Sequence, residues 1–174
     1  MKHGDFHIGL EFFASAGFRW RCTDVGTRTI LAVRLDYDNP HWYQGPPYIA
    51  KEEVFDEDQI EHCHRTEAEA IISAVHEHKT SGHPGYPPEA VRRMMEARHA
   101  RRYPHQGALR FDRCRSDGEI LHPYSGRKKR GAWVIELFLP FQNTYDTMAE
   151  SDFIALPRAS AQDIRARANR SLRS

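Results

Sequence analysis

The hydrophobic period of this chain changes twice, and that change does most to limit what the chain can become. From residue 6 to 55, apolar residues recur at every second position. From about 66 to 100 they recur at helical spacing, and from 107 the two-residue period returns. A strand sends alternate side chains to opposite faces, whereas a helix gathers i, i+3, i+4 and i+7 on one face. The reading is an α+β chain.

In the first third, Phe6, Ile8, Leu10 and Phe12 alternate with His7, Gly9 and Glu11, the pattern of a half-buried strand. Gly17 marks a turn, after which Phe18, Trp20 and Cys22 alternate with Arg19, Arg21 and Thr23. Asp24-Val25-Gly26-Thr27 supplies a second turn before the β-branched run 29–35. Asp38-Asn39-Pro40 and Gly45-Pro46-Pro47 bound a loop carrying Trp42, Tyr43 and Tyr48, and 49–55 reads as a closing strand. The expected product is a small, strongly curved antiparallel sheet or barrel. In strand count and turn spacing the segment 6–55 is similar to SH3-like small barrels, a likeness of architecture that carries no function.

Two helices follow. Thr66 with Glu69 three residues on is a capping box, and Ala68, Ile71, Ile72 and Val75 form an apolar stripe. The stretch 81–87, rich in Gly and Pro, stops that helix. Pro88 suits the first turn of the next, where its missing N–H costs nothing. The second helix is expected to bury Val91, Met94 and Met95. Beyond Gly107, strands are expected at Leu109–Phe111, around Ile120-Leu121, over 133–141 and over 152–156, with a hairpin turn at Ser116-Asp117-Gly118. The run 133–141 is almost wholly apolar and reads as a central strand covered on both faces. Ser160 with Asp163 caps a terminal helix whose stripe is Ile164, Ala168 and Leu172. The expected organisation is an N-terminal β module (1–64), a helical pair (65–103), a second antiparallel β module (104–157) and a basic terminal helix (158–174), packed as one domain.

The 174 residues are 40% hydrophobic and 28% charged, ordinary values for a globular chain. No apolar run approaches the roughly 18 residues of a membrane span, and Met1–Phe6 lacks an apolar signal core, so neither a membrane nor a secreted setting is expected. Three cysteines, Cys22, Cys63 and Cys114, form no CxxC pair, which points to reduced thiols in the cytoplasm.

Charge is sorted along the chain. The net charge is +1, yet 36–70 holds ten acidic and two basic residues, while 92–130 holds twelve basic and four acidic ones. Residues 158–174 add five Arg against one Asp. Such sorting speaks of partners rather than fold. The loop Arg127-Lys128-Lys129-Arg130, flanked by Tyr124 and Trp133, combines phosphate-neutralising cations with stacking rings. Arg92, Arg93, Arg101 and Arg102 on the second helix and Arg110, Arg113 and Arg115 before the hairpin would enlarge it if they converged on one face. The same charges on a solvated hairpin tip would serve only to oppose edge-to-edge aggregation. Trp42, Tyr43 and Tyr48 form a second candidate surface, able to grip a peptide or a base, or simply to seal a small core.

Other chemistry is thinly represented. The acidic run 52–58 lacks the glycine and the terminal Glu of a calcium loop. His62, Cys63, His64, His76, His78 and His83 cluster without the spacing of a structural zinc site, so no metal is expected. Cys63 lies between two histidines, but adjacent side chains do not face each other and supply no dyad. Glu77-His78-Lys79 falls on a helix, not on the strand a nuclease motif would need. No P-loop, GxGxxG, GxSxG or HExxH is present, so no cofactor is expected.

The leading expectation is a non-enzymatic protein that binds nucleic acid through a basic surface. The rival is a protein-interaction module or inhibitor whose acidic and basic segments engage an acidic protein surface or a second copy of the chain. A third reading is a hydrolase or nuclease using Cys63 with a histidine or carboxylate.

Overall fold

The computed structural model describes residues 1–14, 17–100 and 103–171. The chain divides into two compact units, Met1–Glu77 and His78–Ser174. Each contains its own four-stranded antiparallel sheet, and among the described residues five helices complete an α+β protein. Among those residues, no helix is long and apolar enough to cross a membrane.

In the first unit, β1 (Glu11–Phe13), β2 (Arg19–Val25), β3 (Ile30–Arg34) and β4 (Glu52–Phe55) pair in chain order. A register shift between Cys22 and Asp24 kinks the β2–β3 pair, the usual effect of a bulge. After β4, the short helix α1 (Glu57–Glu61) starts at Asp56, whose carboxylate accepts from the Gln59 N–H. The acidic run 52–58 is thereby split between a strand and a helix N-terminus, where carboxylates are favoured. The chain then returns to β1: Phe13 and His64 exchange two backbone hydrogen bonds of 2.8 Å, drawing the end of the meander back to its first strand. Inside lie Phe6, Phe12, Trp20, Cys22, Ile30, Phe55, Ile60 and Cys63. Phe12 and Trp20 both meet Phe55 edge-on, at centroid distances of 5.4 and 4.8 Å.

Three expectations for this unit are corrected. The strand expected over 6–12 shrinks to Glu11–Phe13, because the chain begins with a 3-10 turn at His3–Asp5 and Gly9 takes φ +89°, which turns Ile8 outward to 65% exposure. The closing strand starts at Glu52 rather than 49, leaving Ile49 exposed. The helix α2 (Glu67–Ser81) forms with its capping box, Glu69 N–H donating to Thr66 Oγ1 and Thr66 N–H to Glu69 Oε2, but its apolar stripe is not buried.

In the second unit, α3 (Pro88–Ala100) precedes a sheet ordered β5 (Arg113–Cys114), β6 (Ile120–Lys129), β7 (Ala132–Leu139), β8 (Thr144–Ala149). The nearly continuous apolar run is β7, hydrogen-bonded on both sides and covered on both faces. Ala90, Met94 and Ala97 of α3 pack with Tyr124 and Phe138 on one face. Leu121, Ile135, Leu137 and Leu139 lie on the other with Tyr103 and with Phe153 of α4 (Glu150–Ala155). The apolar face of α3 is thus 90, 94, 97, one position off the expected stripe, and Val91 and Met95 stay exposed. The strand expected near Leu109–Phe111 is a 3-10 turn at Gln106–Leu109, and that over 152–156 is helix α4, whose acidic first turn (Glu150, Asp152) suits a helix N-terminus. The terminal helix α5 (Ala161–Ser171) starts as expected, with Asp163 N–H donating to Ser160 Oγ. Leu172 lies outside the described residues.

Candidate nucleic-acid interface

β6 and β7 are joined by a two-residue turn in which Arg130 has φ 50° and Gly131 φ 87°. Two positive φ values match the mirror-image turns that suit the twist of a hairpin. Only Arg130 of the basic tetrad is therefore in the turn, while Arg127, Lys128 and Lys129 belong to β6 and alternate across the sheet. Lys128, opposite Trp133, holds its ammonium 5.4 Å from that ring on one face. Arg127 points to the other face and pairs with Glu136 at 3.1 Å. Lys128, Lys129 and Arg130 are exposed, and among the described residues neither Lys129 nor Arg130 has an acidic partner.

The remaining predicted cations fall into two places. On α3, Arg92 is 3.9 Å from Glu96, and the Arg93 guanidinium lies 4.0 Å from the centre of the Tyr145 ring, over the face that also carries Arg127 and Glu136. Arg110, Arg113 and Arg115 sit at the opposite end of β6, about 23 Å along the strand from its tip at roughly 3.3 Å per residue. Arg110 and Arg158 both stack on Phe111, at 5.0 and 3.7 Å. Arg113 donates to the Leu156 carbonyl at 2.8 Å, and Arg115 grips both oxygens of Asp117. That grip holds the Asp117 carboxyl down at about 2. The structure therefore separates the cations into a tip group and a group tied to its own surroundings. Arg101 and Arg102 lie outside the described residues. Tyr124 is buried under α3, which removes its ring from any stacking role, whereas Trp133 is half-buried and packs on Tyr103.

The terminal helix, basic in sequence, spends two of its arginines on internal contacts. Arg167 pairs with the buried Glu119, and Arg170 donates to the carbonyls of Asp117 and Gly118. These contacts hold α5 on the β5–β6 turn.

One polar cluster is invisible to sequence spacing. His122 Nδ1 lies 2.8 Å from Asp112 Oδ1 and 2.9 Å from the Tyr86 hydroxyl, and the His83 ring stands 5.1 Å from that of Tyr86. Gly85 N–H donates to His83 Nδ1, and burial pushes the His83 pKa down, Asp112 opposing and His122 assisting. Burial, then Asp112, keeps the Tyr86 phenol protonated well above its ordinary range. Tyr86 and His122 alone stand 36 positions apart, so no local motif announces the cluster.

The other candidates have the following surroundings. Cys63 is fully buried, its Sγ–H donates to the Gln59 carbonyl, and burial pushes its thiol up to about 12. Burial and the raised pKa withhold the thiolate that a cysteine nucleophile needs at neutral pH. Among the described residues, no group of three or more His, Cys, Asp or Glu is placed to hold a metal ion. In the aromatic loop, Trp42 stacks on Tyr37 at 4.1 Å, the Tyr43 hydroxyl donates to the Tyr37 carbonyl, and the Tyr48 ring covers Gly45. Trp42, Tyr43 and Tyr48 are thus half-buried and engaged with their own loop. Comparison with known protein families, with curated proteins and with solved structures finds no match for this chain.

Proposed function

We propose that the second unit binds nucleic-acid phosphates through the β6–β7 tip. The observation behind this reading is three exposed consecutive cations at the hairpin tip, Lys128 and Lys129 at the end of β6 and Arg130 in the turn, with Trp133 beneath Lys128. The surrounding charge supports it: residues 78–174 hold 18 Lys+Arg and 10 Asp+Glu, whereas residues 1–77 hold 7 and 14. Cations without acidic partners break no ion pair when they meet a phosphate, and each contact releases a condensed counterion. Without base-reading side chains at the tip, binding follows the backbone and is tolerant of sequence. Three thiols with no disulfide between them suit a cytoplasmic setting for this activity. The test is fluorescence anisotropy with a labelled single-stranded RNA and a DNA duplex. Reversing charge with Lys128→Glu, Lys129→Glu and Arg130→Glu together should weaken binding at least tenfold at low salt; unchanged affinity would refute the assignment.

The protein-interaction reading is favoured by a different observation, the uncovered face of α2.

A further inference from the structure

Helix α2 runs for 15 residues and buries none of them. Isolated helices of about this length are marginal in water, and in folded proteins an apolar face packed on a neighbour supplies most of their stability. The face exists: Ala68, Ile71, Ile72 and Val75 line it, with Ile71, Ile72 and Val75 exposed to 56%, 68% and 47%. A groove of about 720 Å³ adjoins it, lined in part by Ala14, His64, Ala70 and Ala74. Three β-branched side chains in water on one stripe are a surface awaiting a partner.

Charge on the same helix selects the partner. Its first turn carries Glu67 and Glu69, its last turn His78 and Lys79. We propose that α2 pairs with α2 of a second copy of this chain, antiparallel, about a twofold axis near Ser73. That axis sets Ile71 against Val75 of the other copy and Glu67 against its Lys79, and symmetry makes each contact twice. A parallel pair would instead stack the acidic turns on each other. Glu69 and Glu77 fall off the stripe, so the antiparallel pair brings no like charges into its seam. Ala68 on the stripe allows the backbones to approach closely there. The interface is small beside the roughly 1,200–2,000 Å² of a standard complex, so the dimer is weak, with dissociation in the micromolar range or above.

Sedimentation velocity on the full chain tests this, at concentrations up to about 300 µM, where so small an interface still populates a dimer. The expected result is a concentration-dependent dimer that Ile72→Glu abolishes; residue 72 is exposed, so the fold tolerates the change. Lys79→Glu and Glu67→Lys should each weaken the dimer about three- to tenfold, and the two together should restore it, since each exposed ion pair occurs twice. A wild-type chain that stays monomeric overturns the proposal, whether α2 amides then exchange freely or are protected by another surface. So does a dimer in which the double reversal fails to recover, because its seam is not the antiparallel one.

Discussion

Arg167 on α5 donates its Nε–H to Glu119 Oε2 at 2.9 Å, joining residues 48 positions apart, with 16% and 5% of their side chains exposed. Gln142 donates to the same carboxylate oxygen at 2.8 Å. The pair locks the terminal helix to the start of β6. Truncating one partner leaves the other charge buried, a loss of about 3–5 kcal/mol. Arg167→Ala should therefore lower the unfolding free energy of the second unit by that amount in chemical denaturation, whereas Arg165→Ala, at an exposed position, should change it by less than about 0.5 kcal/mol.

His83 should make stability depend on pH. Its folded pKa lies below the ordinary value of 6.5, chiefly through burial, with Asp112 raising it and His122 lowering it. The unfolded chain then binds the proton more readily, so stability rises with pH. The contribution is complete above 6.5 and declines as pH falls from there through the folded pKa. His83→Asn keeps an acceptor for the Gly85 N–H and removes the titration. Thermal melts at a series of pH values between about 5 and 8 should show a shallower slope for this variant, and an unchanged slope would assign the effect to another group.

Gly126 has no room for a side chain. A Cβ there would run into the ring of Tyr103, which is 3% exposed and packs with Trp133 and Phe153. The ring is stiff and enclosed, so Gly126→Ala should displace it at a cost of about 1–3 kcal/mol. Gly107→Ala, with open space around the position, serves as the control in the same denaturation measurement.

Cys63 should ignore thiol reagents until the chain unfolds. Its burial and raised pKa suppress the thiolate, whereas half-buried Cys114 should react first. Rapid labelling of Cys63 in the native protein at about pH 8 would be incompatible with its place in the core.

Local chemistry is the most legible part of this sequence. The pairs Thr66/Glu69 and Ser160/Asp163, the turn at Ser116-Asp117-Gly118 and the apolar run that forms β7 all act within a few residues, so spacing alone reveals them. Strand β8 gives no such signal, because it is mostly exposed and carries little hydrophobic alternation. Helix α4 is ambiguous because its single buried anchor, Phe153, fits either period. Partner choice is the least legible: Arg127 finding Glu136, and Arg167 finding Glu119, depend on strand register and helix docking. Those pairings decide which cations remain for a ligand. The basic tetrad thus marks a turn in the sequence without revealing which of its members keep their charge for a partner.

Binding through the β6–β7 tip stands or falls on how nucleic-acid affinity responds to salt. Anisotropy titrations of a DNA duplex between about 50 and 200 mM salt should give a linear log–log plot with a slope of about −0.9 per phosphate neutralised. The Lys128→Ala, Lys129→Ala, Arg130→Ala variant should flatten that slope by about 2–3, one step for each contact removed. An affinity insensitive to salt, or a slope that the triple variant leaves unchanged, would contradict the assignment of phosphate contacts to this tip.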